Sequence, residues 1–274
     1  RVRGLVFGSR DRFGMKPLYR WQGRDQMLFA SEIKAIRASG IYEGGLNLRT
    51  CAAFLYESRL DETAESFFQG IEQVPAAHNF ELSLDGSYRQ WQYWELTDNV
   101  EKPHLDAAEE FAQCFDDAMR MHMRADVPVG VNLSGGLDST SILCAAARIR
   151  THAGVDQPLL AFCYQDHRYD ETRFIDDTLS QTGARMVPMR LGPRELWDSI
   201  PRVLAMQDEP VHAMSAVIGY HLTRLASQHG VKVILNGQGA DELLAGYGSY
   251  FPVYWQELLR RGHVLSAWRE IKAY

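Results

Sequence analysis

Two short stretches of the chain carry residue types that could do chemistry: LSGGLDSTS at 133–141 and NGQGADE at 236–242. In the first, Gly135 and Gly136 allow a sharp turn and bring backbone N–H groups close to an anion. A helix beginning near Thr140 adds its dipole and unpaired N–H groups, while Ser134, Ser139 and Thr140 add hydroxyl donors. Together these make a phosphate cradle. The GxxxxGK spacing and its lysine are both missing, so it is a different phosphate loop. Asp138 places a carboxylate inside an anion site, which calls for a cation, and Mg²⁺ bridging to phosphates supplies one. The plainer alternative is a glycine turn in which Asp138 or Ser139 caps the helix. In the second stretch, two glycines, an alanine and an acidic pair follow the apolar run VKVIL, odd chemistry for a mere turn.

The elements that must position these loops follow from periodicity. Residues 106–274 open with AAEEFAQCFDDAMRMHMRA, whose spacing predicts a helix with Phe111, Phe115, Ala118, Met119 and His122 on one face. PVGVNL, PLLAFCYQ, ARMVPMRL and VKVIL are too short for helices and rich in branched residues. Helical stretches lie between them, among them STSILCAAARIR, DETRFIDDTLSQTG and SAVIGYHLTRLASQHG. Strands buried on both faces and alternating with helices predict a parallel sheet covered on both sides. Ligands of such sheets bind at the carboxyl ends of the strands, near the topological switch point. Both loops leave such ends.

Residues 1–97 read differently, as mainly β. LVFGSR, PLYRW and MLFAS are expected strands, SEIKAIRAS and LRTCAAFLYES short helices, and FELSL with YRQWQYWEL a hairpin about Asp85-Gly86. Residues 98–105 are polar, carry Pro103 and show neither period, so they read as a linker.

Composition narrows the function classes. The 274 residues are 46% apolar and 23% charged, an ordinary globular balance. No run approaches the ~18–20 apolar residues of a membrane helix. The net charge of −6 is spread over interleaved acids and bases with no basic block, which argues against nucleic acid and membrane partners. Four scattered cysteines, with Cys144 and Cys163 in apolar runs as expected buried thiols, fit a reducing cytoplasm. Nine histidines show no HExxH. The chain starts inside a strand and stops inside a helix, so it reads as a fragment cut at both ends.

SGGLDS resembles the PP-loop of ATP pyrophosphatases, which cleave ATP between the α and β phosphates and adenylate a substrate. RDRFGMKPLY with FASEIKAI, and PAAHNFELSLDGSYRQWQYWEL, resemble the end of the glutaminase domain of asparagine synthetases, with Ala77 where that family carries glycine. YDETRFIDDTLSQTG, and QDEP followed by HLTRLASQHGVKVILNGQGADELLAGYG, resemble the synthetase half. In that order they cover essentially the whole chain. The resemblance implies an α/β fold: a parallel-sheet PP-loop ATP pyrophosphatase domain over 106–274, preceded over 1–97 by the C-terminal part of a mainly β Ntn-type glutaminase domain.

The implied activity is an ATP-dependent amide ligase. MgATP activates the aspartate side chain as β-aspartyl-AMP, and ammonia from glutamine, delivered through an internal tunnel, displaces AMP to give asparagine. ATP and Mg²⁺ are the implied cofactors. Ser134, Gly135, Gly136, Asp138 and Ser139 match the pyrophosphate loop, and Asp138 and Asp241 match the two aspartates that hold Mg²⁺. Asn132 and Tyr164 match positions whose backbones contact the adenosine. Asn236 and Gly237 match a Ser-Gly pair that touches nucleotide and intermediate. The implied partners are small molecules (aspartate or another carboxylate, glutamine or ammonia), with a second copy of the chain as a candidate homodimer.

Two departures shape the expectations. The glutaminase nucleophile is the first residue of the family's domain and lies outside this chain, so the chain is expected not to hydrolyse glutamine. Gln238 stands where asparagine synthetases carry a glutamate implied to take a proton from ammonia or to position the intermediate. A glutamine hydrogen-bonds but accepts no proton at neutral pH. NGQGADE resembles the branch of asparagine-synthetase-like amidotransferases found with cell-surface polysaccharide or peptide-modifying genes, so amidation or cyclisation of another carboxylate is the rival reading. A non-catalytic nucleotide-binding homologue is the third, and the retained pair Asp138 and Asp241 argues against it.

Among the remaining residues, Asp170 and Glu171 open a helix, where the dipole favours acids, so a structural and a site role weigh equally. Asp208 and Glu209 precede Pro210 at a helix end, where the dipole offers them nothing, and a role in the site is expected. Glu242 is expected to support its loop or cap the next helix, Arg10 and Lys16 to hold the domain interface, and WQYW and YFPVYW to pack a core.

Overall fold

The computed structural model describes residues 4–99, 106–165 and 171–273. The chain divides into two compact units, Arg1–Ala107 with Gly192–Ile218, and Ala108–Leu191 with Gly219–Tyr274.

The first unit contains β1 (Leu5–Ser9), β2 (Tyr19–Gln22), β3 (Met27–Ala30), α1 (Ile33–Arg37), α2 (Leu48–Glu57), β4 (Ile71–Gln73), β5 (His78–Ser83) and β6 (Tyr88–Gln92). They form two antiparallel three-stranded sheets, β1-β5-β6 and β3-β2-β4. The hairpin about Asp85-Gly86 is present: Leu82 pairs with Tyr88, and Gly86 supplies the left-handed turn residue at φ 86°. Phe29 on β3 stacks on Phe80 on β5 with ring centroids 4.4 Å apart. Ile33, Ile36 and Ile71 form the buried centre of α1 and its sheet. Ala77 takes the left-handed region at φ 58°, which costs an L-residue about 1–2 kcal/mol. Its N–H donates to the Asp11 carbonyl at 3.0 Å and its own carbonyl accepts from Tyr93 N–H at 2.8 Å, so the flanking pairing holds it there. A 3₁₀ turn covers Leu96–Asn99, and residues 100–105 of the expected linker lie outside the described residues.

Arg10 is buried, and its bonds lie within this unit. Its guanidinium donates to the carbonyls of Lys16, Val74 and Gly14 at 3.1, 2.5 and 2.9 Å. It therefore staples the β1–β2 loop to the approach to β5. Lys16 enters this staple through its backbone, with its N–H bonded to Asp11 at 3.0 Å. Against the upward push of burial, the N–H groups of Lys16, Met15 and Phe13 hold the Asp11 carboxyl below the usual range.

The second unit contains α3 (Ala107–His122), β7 (Val129–Asn132), α4 (Leu137–His152), β8 (Leu160–Tyr164), α5 (Thr172–Thr182) and β9 (Arg185–Met189). α6 (Pro193–Gln207) and the start of α7 (Met214–Gln228) belong to the first unit. The chain then continues through β10 (Val233–Leu235), α8 (Ala240–Leu244), α9 (Tyr250–Arg260) and α10 (Val264–Ala273). Four strands form one parallel sheet in the order β10-β7-β8-β9. Its burial explains the unbroken apolar runs. On β8, Ala161 and Cys163 pack with Val131, Leu143 and Ile175 on one face, while Phe162 packs with Val187, Ala226 and Val231 on the other. Burial pushes the Cys163 thiol up to about 12.

Several details differ from expectation. Cys144 is only partly buried. On α3, Met119 is buried and Phe115 packs against the core, but Phe111 is 50% exposed and His122 is exposed. The YFPVYW stretch opens α9 with Tyr250, Val253 and Tyr254 exposed instead of in a core. Helix α6 is entered through Gly192 N–H donating to Glu195 at 2.8 Å and is C-capped by Asp208, at the helix end expected before Pro210. No described helix is long and apolar enough to cross a membrane.

Candidate active site

The strand order locates the site. From β7 the chain steps to β8 and then β9, whereas β10 returns to the opposite side of β7. The topological switch point therefore falls between β7 and β10, and their carboxyl ends are where sheets of this kind bind ligands. LSGGLDSTS leaves β7 there and NGQGADE leaves β10 there.

The first loop is closed by its own hydroxyls. Ser134 Oγ and Ser139 Oγ lie 3.0 Å apart, Ser134 N–H donates to Ser139 Oγ at 3.2 Å, and Gly136 N–H donates to Ser134 Oγ at 3.3 Å. Gly136 is the N-cap of α4 in extended conformation, so Leu137, Asp138 and Ser139 supply the first-turn amides that have no partner within the helix. Asp138 is a first-turn acid, not the cap, and no side chain caps this helix. Gly135 sits at φ 89°, and a Cβ there would lie 3.1 Å from Glu171 Cβ. Glu171, at the start of α5, thus packs against the loop; Asp170 lies outside the described residues.

The second loop is ordered by Asn236, whose Oδ1 accepts from Gln238 N–H at 3.1 Å. Gln238 itself is exposed. A Cβ on Gly237 would lie 2.9 Å from Asp138 Cβ and 3.5 Å from Ser139 N, so the two loops touch backbone to side chain at that point. Asp241 lies in the first turn of α8, and Glu242 accepts from the Tyr247 hydroxyl at 2.8 Å, which is the loop support expected of it. Tyr164 ends β8, one strand over, and is half-buried.

Two buried oxygens at this end, Asn132 Oδ1 on β7 and Thr140 Oγ1 on α4, have no hydrogen-bond partner among the described residues. Buried polar atoms are ordinarily paired, so an orphaned acceptor and hydroxyl here fit a polar ligand. Among the described residues no three His, Cys, Asp or Glu side chains converge as a metal cage. Asp138 and Asp241 supply one carboxylate from each loop, the donor type that Mg²⁺ accepts alongside phosphate and water.

Asp208 and Glu209, for which a role in the site was expected, are bonded within the other unit. Both lie in the first unit. Asp208 ends α6 in the left-handed region and accepts from Lys34 N–H at 3.1 Å, with Lys34 Nζ 3.3 Å away. Glu209 accepts from Phe67 N–H at 2.9 Å. They compensate for a helix end by binding donors that are distant in sequence. Glu209 also lines a cavity of about 240 Å³ with Arg10, Tyr19, Asp61 and Gln73. Burial, joined by the charges of Asp61 and Asp208, pushes its carboxyl up despite the Phe67 bond.

A carboxyl whose folded value is raised stabilises the fold most below its unfolded value of about 4.3, and that stability is lost as pH rises through the folded value. Glu209→Gln keeps an oxygen for Phe67 N–H and removes the charge. Its stability relative to wild type should therefore improve from pH 5 to pH 8, as read by urea unfolding at both. An equal difference at the two pH values would show that Glu209 does not titrate as described.

The family profile for asparagine synthase matches residues 110–272, and the profile for a glutamine amidotransferase domain matches residues 2–94. Glutamine-hydrolysing asparagine synthetase 2 of Bacillus subtilis is 30% identical over 264 residues, covering 89% of this chain and 34% of that protein. Asparagine synthetase 1 of the same organism is 28% identical over 248 residues, covering 90% and 38%. Amidase chyE of Penicillium rubens is 26% identical over 264 residues, also covering 90% and 38%. The chain thus spans between 34% and 50% of the length of the curated relatives it matches. With the synthase profile over 110–272 of its 274 residues, on a parallel sheet whose two motif loops meet at the switch point, the chain belongs to the asparagine synthase family.

Proposed function

We propose that residues 106–274 carry the ATP-using site of a glutamine-dependent amide ligase that activates a carboxylate, in the first instance aspartate, as an acyl-adenylate. The observation that supports this best is the contact of Gly237 with Asp138, which joins the two motif loops across the switch point. In this reading the first-turn amides of α4, with Ser134 and Ser139, hold the β and γ phosphates. The Ser134–Ser139 pair preforms the loop and opens toward phosphate oxygens when they arrive. Asn132 and Tyr164 border the adenosine, and Asn236 and Gly237 border the nucleotide and the acyl group. Asp138 and Asp241 hold Mg²⁺, which offsets the charge that develops on leaving pyrophosphate.

The chemistry balances as two displacements. A carboxylate oxygen attacks the α phosphorus and the bond to the bridging oxygen breaks, releasing pyrophosphate. Ammonia then attacks the acyl carbon, AMP leaves with the former carboxylate oxygen, and nitrogen loses a proton. Gln238 can hydrogen-bond to the intermediate but cannot take that proton, so another base must. This favours a second reading in which the acceptor is a carboxylate other than aspartate, a reading to which the amidase-named relative also points.

Carboxyl-¹⁸O labelling separates them. With MgATP and ammonia, labelled aspartate should pass one ¹⁸O into AMP. Label from another carboxylic acid but not from aspartate would establish the second reading. Pyrophosphate release with no label in AMP from any acid would defeat the acyl-adenylate scheme.

A further inference from the structure

We propose that Gly246 is a positioning residue: the space left by its missing side chain holds the Asp241 carboxylate in the direction it needs for a divalent cation. The inference rests on the reading of Asp241 as a metal ligand. Helix α8 has only five residues, and Ala245 reverses the chain after it at φ 58°, ψ 40°. Both Ala245 N–H and Gly246 N–H donate to the Asp241 carbonyl, the latter at 3.0 Å. The reversal lays Gly246 directly against the residue five positions earlier. A Cβ at 246 would stand 1.9 Å from Asp241 Oδ1, 2.8 Å from its Cγ and 3.2 Å from its Cα. No carboxylate can occupy its present position beside such a group.

The turn itself does not explain this glycine. The left-handed position belongs to Ala245, where glycine would be favoured, whereas Gly246 has no positive φ that would exclude a side chain. Space alone requires glycine at 246. The clashing atom is moreover the end of a rotatable side chain. An alanine would shift the backbone by about a few tenths of an ångström at Asp241 Cα and would drive the carboxylate into another rotamer. The expected consequence is selective, with the fold retained and the carboxylate misdirected. A hydrogen bond from Tyr247 to Glu242 spans the same reversal.

Mn²⁺ binding in the presence of ATP, followed by electron paramagnetic resonance, tests this without turnover. Gly246→Ala should raise the Mn²⁺ dissociation constant by about 10–100-fold, the range typical of groups that orient a metal ligand. Its melting temperature without ligands should stay within about 4 °C of wild type. Asp241→Ala should weaken Mn²⁺ at least as much, and adding Gly246→Ala to it should weaken Mn²⁺ no further. Wild-type Mn²⁺ affinity in Gly246→Ala, with weakened affinity in Asp241→Ala, would overturn the positioning role while leaving the metal assignment standing. An additional loss in the double variant would also overturn it, by showing general damage to the loop. Unchanged affinity in Asp241→Ala would remove the metal assignment, and the positioning role with it.

Discussion

Asp138→Asn is expected to reduce MgATP-dependent pyrophosphate release by about 10²–10³-fold, the loss typical of removing one group that stabilises developing charge. The change is nearly isosteric, so the approach of Gly237 to the Asp138 Cβ is kept. The helix start is also kept, because Gly136 is the N-cap and the Asp138 side chain makes no cap bond. What disappears is one negative charge beside the first-turn amides. As a dipole partner that charge is worth about 0.3–1 kcal/mol of stability, a small loss that should appear as a slightly lower melting temperature. The effect on release must therefore come from the cation. A carboxylate and a triphosphate share this cradle only if a positive ion lies between them, and a neutral amide holds that ion much more weakly than a carboxylate. A coupled pyrophosphate assay across a Mg²⁺ titration reads both parts, and raised Mg²⁺ should recover little of the rate. Release at the wild-type rate and at wild-type Mg²⁺ demand would refute the assignment of Asp138.

The main lines of the second unit were legible because they rest on short-range signals. Strands such as LAFCY, buried on both faces, carry continuous apolar residues whatever lies around them, and SGGLDS marks a strand-to-helix turn by its own backbone needs. Where the switch point falls was set by the strand pairing, which puts β10 beside β7. What escaped was decided by contacts between residues far apart in sequence. Asp208 and Glu209 looked displaced at a helix end because the donors that satisfy them, Lys34 and Phe67, lie 174 and 142 residues away. The acceptors of Arg10 are three backbone carbonyls and the Gln73 side chain 63 residues away, which no local pattern announces. Gly246 was passed over as part of LLAGYG, since the reason for its glycine is a side chain five positions earlier. Only the end of helix α6 was legible, ahead of Pro210; Pro193 and Pro201 hid its start, although a proline at the first helical position is favourable.

Gly237→Ala should lower pyrophosphate release by about 10²-fold, the scale associated with a displacement near 1 Å at a reacting centre. Its added Cβ would meet Asp138 Cβ at 2.9 Å and approach Ser139 N at 3.5 Å. In contrast to position 246, the obstructing atom is bonded directly to a helix backbone and cannot rotate away. The two loops must part, and the first-turn amides of α4 part from Asn236 and Asp241 with them. Overpacking of this kind costs about 1–3 kcal/mol, so the melting temperature should fall as well. Gly219→Ala, inside α7, supplies the control. Nothing stands within 4 Å of its Cβ position and its φ is not positive, so the same substitution there should raise stability by about 0.5–1 kcal/mol without changing release. The two readouts distinguish the causes. If the loss in Gly237→Ala were only instability, release per folded molecule at 10 °C would equal wild type. A loop displaced from its partner leaves the deficit in place at every temperature where the protein is folded.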